Sequence, residues 1–238
     1  MSARTHSRCG SHAPIASLPR WRYGGRLRAD VDGDGRPDTV TVRVARWADG
    51  RCAFYLAVST ARGFYSRMLG PWTLQMSKND VNVPMRRGQW PAAFPTVEEI
   101  ADLGGRGNVV VLSIGEGAAN LGVAFFGVSD GRPRLLRIGG APSIWPGGTV
   151  MDQEGVACSR GGPLHVLDFD NVATRKHPKR WSFSNRTYRL RGGRFVAVAH
   201  RTLYGSNAQM YAAAKQAGIQ NVPLKGCSLA RAPGNWGV

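Results

Sequence analysis

The stretch Asp30-Val31-Asp32-Gly33-Asp34-Gly35-Arg36-Pro37-Asp38, with Thr39-Val40-Thr41-Val42-Arg43-Val44 behind it, decides how the rest of the chain is read. Its carboxylates fall at relative positions 1, 3, 5 and 9 of one short loop. Like charges this close repel one another, so a loop built this way calls for a cation. Ca²⁺ suits it, being a hard ion that takes about six to eight oxygens from a flexible loop. Asp30, Asp32, Asp34 and Asp38 would supply side-chain oxygens, and Arg36 its main-chain carbonyl. Gly33 and Gly35 let the backbone turn sharply. Without a metal, the same residues would form an acidic surface turn. An EF-hand would carry a bidentate Glu at position 12 and helices on both sides. Position 12 here is Thr41. The run from Thr39 to Val44 instead alternates with period two, which predicts a strand with Val40, Val42 and Val44 turned to a core.

Working outward, the same arrangement recurs in weaker form. Ala101-Asp102-Leu103-Gly104-Gly105-Arg106-Gly107 aligns with Ala29 through Gly35, Asn108 falls opposite Asp38, and Val109-Val110-Val111-Leu112 takes the place of the strand. Ala157-Cys158-Ser159-Arg160-Gly161-Gly162, ahead of Leu164-His165-Val166-Leu167, is a fainter third copy. The second half of each unit reads as strand, turn, strand, around 55–65, 125–136 and 187–198, with Gly192-Gly193 marking the last hairpin. A unit of loop, strand, strand, hairpin, strand is the sequence form of a β-meander or a propeller blade. The expected fold class is therefore all-β, with about three repeated β-meander units in a propeller-like arrangement (a small or incomplete β-propeller) and a short C-terminal helix. A flexible segment 1–24 would precede one domain over 25–238, with units at about 25–90, 91–145 and 146–204 and a tail at 205–238.

On these residues the chain resembles the FG-GAP/VCBS repeat of integrin-like bacterial secreted and surface proteins. The resemblance is strongest over residues 29–44, weaker over 98–138 and faint over 155–198. It implies that the aspartate loop binds Ca²⁺ through Asp30, Asp32, Asp34 and Asp38 and opens a propeller blade. The second loop departs from that pattern, since Gly104 and Arg106 replace ligands and only Asp102 and Asn108 keep oxygen side chains. A guanidinium can stand in for an ion, so Arg106 is expected to pair with Asp102. The third loop has no carboxylate, which leaves one expected metal site.

The chain has 238 residues and a net charge of +17, from 32 Lys and Arg against 15 Asp and Glu. Such a balance points to a polyanion partner: nucleic acid, teichoic acid or anionic lipid headgroups. Arginine dominates the cations and is scattered. The densest run, Arg175-Lys176-His177-Pro178-Lys179-Arg180 before Trp181, reads as a solvated loop. The four cysteines, Cys9, Cys52, Cys158 and Cys227, suit an oxidising setting beside a calcium loop. A Cys158–Cys227 bridge would tie the C-terminal tail to the third loop, and Cys9 would pair with Cys52 or stay free. Residues 1–25 hold Arg4, Arg8 and Arg20 but no apolar run fit for an export signal. The extracellular or cell-surface reading therefore expects that a signal was trimmed or precedes this start. No apolar window is long enough to span a membrane.

Two helices suggest themselves. Asn207 through Gly218 is Ala-rich with an Asn cap and a closing Gly, and Thr96-Val97-Glu98-Glu99 has the form of a capping box, although the repeat alignment puts Ile100 in a strand. No catalytic motif emerges. His165 reads as a packed strand residue and His200 as a strand end. Asp168 and Asp170 read as a strand running into a turn at Asn171, and Asp152 with Glu154 reads the same way. Three functions compete. The first is a non-enzymatic, monomeric, calcium-stabilised module that binds an extracellular protein or glycan. The second is a polyanion-binding protein. The third is an enzyme whose active site is hidden among Asp152, Glu154, Asp168, Asp170 and His200.

Overall fold

The computed structural model describes residues 26–46, 52–69, 95–116, 121–149, 152–218, 224 and 226–231. Those residues are mostly β, in three antiparallel sheets of which none is closed. The first sheet holds β1 (Arg26–Ala29), β2 (Asp38–Arg46), β3 (Cys52–Thr60) and β4 (Gly63–Leu69) in sequence order. In the second, β5 (Thr96–Ala101), β6 (Val109–Glu116), β7 (Leu121–Ser129) and β8 (Arg132–Leu136) follow one another. The third is built from β9 (Gly147–Thr149), β10 (Asp152–Cys158), β11 (Leu164–Asn171), β12 (Trp181–Arg191) and β13 (Arg194–Gly205). After helix α1 (Asn207–Gln216), the C-terminal β14 (Ser228–Arg231) returns to the middle sheet and pairs with β5.

Local chemistry explains these elements. Along β2, Val40 and Val42 are buried while Thr39, Thr41 and Arg43 are half-buried, as period-two alternation requires. The hairpins joining β7 to β8 and β12 to β13 turn on Asp130-Gly131 and Gly192-Gly193, all four at positive φ, the backbone that matches the right-handed twist of the flanking strands. The capping-box reading of Thr96–Glu99 gives way to strand β5, whose ladder with β6 supplies pairing that an isolated helical turn lacks. The C-terminal helix forms, but its cap is Ser206 rather than Asn207. The Ser206 hydroxyl accepts the Gln209 N–H, and the Gln209 side chain reaches back to the Ser206 N–H.

The sheets stack face to face around three cores. Leu27, Val40, Leu56 and Val58 of the first sheet meet Ile100, Val110, Leu112 and Phe126 of the second. The other face of the second sheet, with Val109, Val111 and Phe125, packs on Val156, Leu164, Val166 and Phe195 of the third. Phe169, Trp181 and Phe183 on the far face of the third sheet pack under Met210 and Ala214 of α1. The middle sheet is thus covered on both faces, which is why Val109-Val110-Val111-Leu112 is apolar without alternation.

Three loops brace the stack. One loop in each sheet, joining β1 to β2 at 30–37, β5 to β6 at 102–108 and β10 to β11 at 159–163, touches its neighbour. A Cβ on Gly33 would collide with the Arg106 carbonyl, one on Gly107 with the Val31 carbonyl, and one on Gly104 with the Gly161 carbonyl. The Asn108 side-chain amide donates to the Asp30 carbonyl, and the Gly161 N–H donates to the Asp102 carbonyl at 3.1 Å. The third loop is also fastened by the Cys158–Cys227 disulfide, the favoured pairing, with Cα atoms 5.7 Å apart. Cys9, the Cys52 side chain and Trp90-Pro91 lie outside the described residues.

Candidate metal centre

The loop between β1 and β2 folds around its own carboxylates. Asp30 accepts N–H groups from Gly33 at 2.7 Å, Asp34 at 3.2 Å and Gly35 at 2.8 Å. Asp38 opens β2, and its Oδ2 accepts the Val31 N–H at 2.9 Å and the Asp32 N–H at 3.4 Å. Asp32 Oδ1 accepts the Asp34 N–H at 3.2 Å. Main-chain donors therefore draw three carboxylates to one centre, where an oxygen from each of Asp30, Asp32 and Asp38 lies within 4.8 Å of the others. Asp34 stands outside this trio and turns to the Arg36 N–H at 2.8 Å.

Two oxygens in the centre lack any hydrogen-bond partner among the described residues. Asp38 Oδ1 and Asp32 Oδ2 are buried and accept no hydrogen bond, and Asp38 as a residue is only 2 % exposed. Such orphaned acceptors cost on the order of 1–3 kcal/mol each, and more when charged. Burial is the leading cause that pushes the Asp38 carboxyl above the usual carboxylate range; its neighbours Asp32 and Asp34 push the same way, against the N–H groups of Val31 and Asp32. A divalent cation among Asp30, Asp32 and Asp38 would satisfy the free oxygens and offset the repulsion. The donor set is all oxygen, which suits a hard ion such as Ca²⁺ or Mg²⁺ and disfavours zinc or copper. The residues fit the group.

The other sequence expectations fare unevenly. Asp102 does not pair with Arg106; its Oδ1 accepts the Gly104 N–H at 3.0 Å, and Arg106 is exposed. Asn108, read as a weakened ligand position, instead ties the second loop to the first. His165 is half-buried within β11, with Nδ1 3.1 Å from Asn185 Oδ1 and 3.2 Å from Thr187 Oγ1. The run 173–179 is exposed, as expected, and the Arg180 guanidinium lies 4.2 Å over the Tyr204 ring.

Glu154, Asp168, Asp170 and His200 come onto one face of the third sheet, through the pairings Glu154 to Asp168, Asp168 to Ser184 and Arg186 to His200, with Asp170 two residues beyond Asp168. They are engaged there. Arg186 bridges to Asp168 at 2.7 Å, Glu154 accepts the Trp145 N–H at 2.7 Å, and His200 Nε2 lies 3.1 Å from Ser184 Oγ. The Asp152 side chain lies outside the described residues.

One buried acid was not singled out from the sequence. Glu99 is 0 % exposed in β5, where the pairing with β6 slips between Val97 and Glu99. Its Oε1 accepts the Leu224 N–H at 2.9 Å, and its Oε2 lies 3.7 Å from Arg231 Nε. Burial pushes it up to about 7, against the Leu224 N–H and Arg231, which favour the charged form. Its neighbour Glu98 accepts the Ser113 hydroxyl at 2.6 Å. The pairing slip is what puts two adjacent acids inside the sheet, and no sequence period announces it.

No family model, no curated protein and no solved structure matches the chain.

Proposed function

We propose that this chain is a calcium-stabilised β-meander module of the FG-GAP/VCBS type, which works outside the cell by binding a protein or glycan and carries out no chemistry of its own. The observation that carries the reading is the pair of buried, unpartnered oxygens, Asp32 Oδ2 and Asp38 Oδ1, beside a third carboxylate in a loop closed by its own N–H groups. Asp30, Asp32 and Asp38 would hold the ion, with the Arg36 carbonyl as a further donor. Ca²⁺ would supply fixed positive charge and rigidity at the mouth of β2. This chain's own residues do the rest: the loop braces its neighbour through Asn108 and the close-packed glycines, and so sets the spacing of the first two sheets. The three sheets in sequential stack are consistent with adjoining propeller blades, and the Cys158–Cys227 bridge is consistent with an oxidising compartment.

Thermal melting of the full chain in EDTA and in increasing Ca²⁺ tests the reading. An ion that binds only the folded form stabilises it by about 2.7 kcal/mol at a hundred times its Kd. A melting temperature that climbs with Ca²⁺ and ignores equal concentrations of K⁺ is expected. An identical melt in EDTA and in millimolar Ca²⁺ would rule the metal out.

A further inference from the structure

We propose that the cleft between β4 and β8 is a binding site for a compact, multiply charged phosphate, either free diphosphate or a terminal phosphate monoester. The cleft is about 420 Å³ and is lined by Tyr65, Ser66, Arg67, Arg132, Pro133 and Arg134. That volume falls at the lower end of small-molecule sites.

The three arginines differ from others in the molecule. Arg186 is spent on Asp168, Arg43 lies over the Phe64 ring at 4.7 Å, Arg180 covers Tyr204, and Arg137 donates to the Gly140 carbonyl at 3.0 Å. Arg67, Arg132 and Arg134 are exposed and engage no carboxylate, carbonyl or ring among the described residues. Each guanidinium brings five N–H donors in a planar fork that matches a phosphate bidentately. They line the one cleft from two different sheets, Arg67 from β4 and Arg132 and Arg134 from β8, instead of running as a stripe along a single strand. The wall is firm: the Tyr65 ring sits where a Cβ on Gly131 would be, and its hydroxyl donates to the Arg62 carbonyl at 3.3 Å. An extended peptide fits poorly, because Pro133 lacks an N–H and interrupts the β8 edge for strand pairing. A small group carrying several negative charges is what remains.

The test is calorimetric titration of the full chain with inorganic pyrophosphate in EDTA, so that chelation of divalent ions plays no part and the result stands apart from the metal centre. The wild type should bind saturably. The triple variant Arg67→Gln/Arg132→Gln/Arg134→Gln should bind at least about 100-fold more weakly, since each lost charge-assisted contact is worth roughly tenfold or more. A control triple on the β12–β13 hairpin, Arg189→Gln/Arg191→Gln/Arg194→Gln, removes the same charge and should change affinity less than about threefold, as screened charges at a distance do. The Lys triple at 67, 132 and 134 keeps the charge but loses the fork, and should lie between wild type and the Gln triple. Equal weakening by the two Gln triples, or no saturable binding by the wild type, overturns the proposal. So does a single-stranded oligonucleotide that binds more tightly than pyrophosphate and is weakened equally by both triples, because that would show diffuse attraction of a polymer.

Discussion

The loops at 30–37 and 102–108 occupy the same place between the first two strands of neighbouring meanders, yet they are held by opposite means. The first carries four aspartates counting Asp38, spends most of its carboxylate oxygens on its own N–H groups, and leaves two buried oxygens without partners. The second keeps a single aspartate, which closes onto Gly104, and relies on glycines that let its backbone lie against Val31 on one side and Gly161 on the other. The third loop adds a covalent fastening, Cys158 to Cys227. One structural task, bracing stacked sheets at the strand ends, is met by charge, by close backbone packing and by a cross-link. Of the three, only the first leaves buried carboxylate oxygens without a hydrogen-bond partner among the described residues.

The largest effect should come from the covalently fastened loop. Reducing the disulfide, or replacing Cys158 and Cys227 with Ser, frees a closure of 69 residues. In the chain-entropy model this lowers stability by about 4 kcal/mol. Denaturant unfolding of the double variant checks it, and a loss below about 1 kcal/mol would show that the loop is braced without its cross-link.

The C-terminal segment behind that cross-link also reports through Glu99. Its folded pKa of about 7 lies above the ordinary 4.5, so its contribution is fully present below pH 4.5 and is lost as pH rises through 7. The loss amounts to roughly 3 kcal/mol, since a tenfold change in proton affinity is worth about 1.4 kcal/mol. In EDTA, the stability advantage of Glu99→Gln over the wild type should therefore grow from pH 5 to pH 8. A constant difference across that range would mean that Glu99 is charged at both ends of it.

Glycine packing should be weaker but sharply local. Gly33 and Gly35 both have positive φ, 78° and 83°, but only Gly33 faces the Arg106 carbonyl, while Gly35 has open space. Gly35→Ala should cost about 1 kcal/mol of backbone strain, and Gly33→Ala about 2–3 kcal/mol because the second loop must also shift. Equal melting temperatures for the two variants would break the claim that the loops brace each other.

Much of the contrast between the loops is legible in the sequence. The aspartate spacing marks the first loop, period-two alternation marks β2, and Gly192-Gly193 marks the β12–β13 hairpin, because each is a local property of a few consecutive residues. The alignment of Asp102 through Leu112 with the first loop and strand identifies the second meander, and it outranks the capping-box pattern at Thr96 because the ladder with β6 is a tertiary gain. What stays hidden depends on contacts between distant segments. Asn108 donates across to Asp30 instead of facing its own loop, the Arg106 carbonyl packs against Gly33 while no guanidinium among the described residues pairs with Asp102, and Glu99 is buried by a segment far along the chain, at a separation of 125 residues to Leu224. The placement of Asp34 outside the carboxylate trio is equally invisible, because spacing alone gives all four aspartates the same standing.

The most direct measurement sets Asp38 against Asp34: calorimetric titration of Ca²⁺ into the wild type, Asp38→Asn and Asp34→Asn, with circular dichroism to confirm that each variant is folded. A single ion should bind the wild type, Asp38→Asn should lose that binding while keeping its strands, and Asp34→Asn should retain it with reduced affinity. Ca²⁺ binding by Asp38→Asn at wild-type strength, or none by the wild type, would contradict the view that buried carboxylates in the first loop exist to hold a cation.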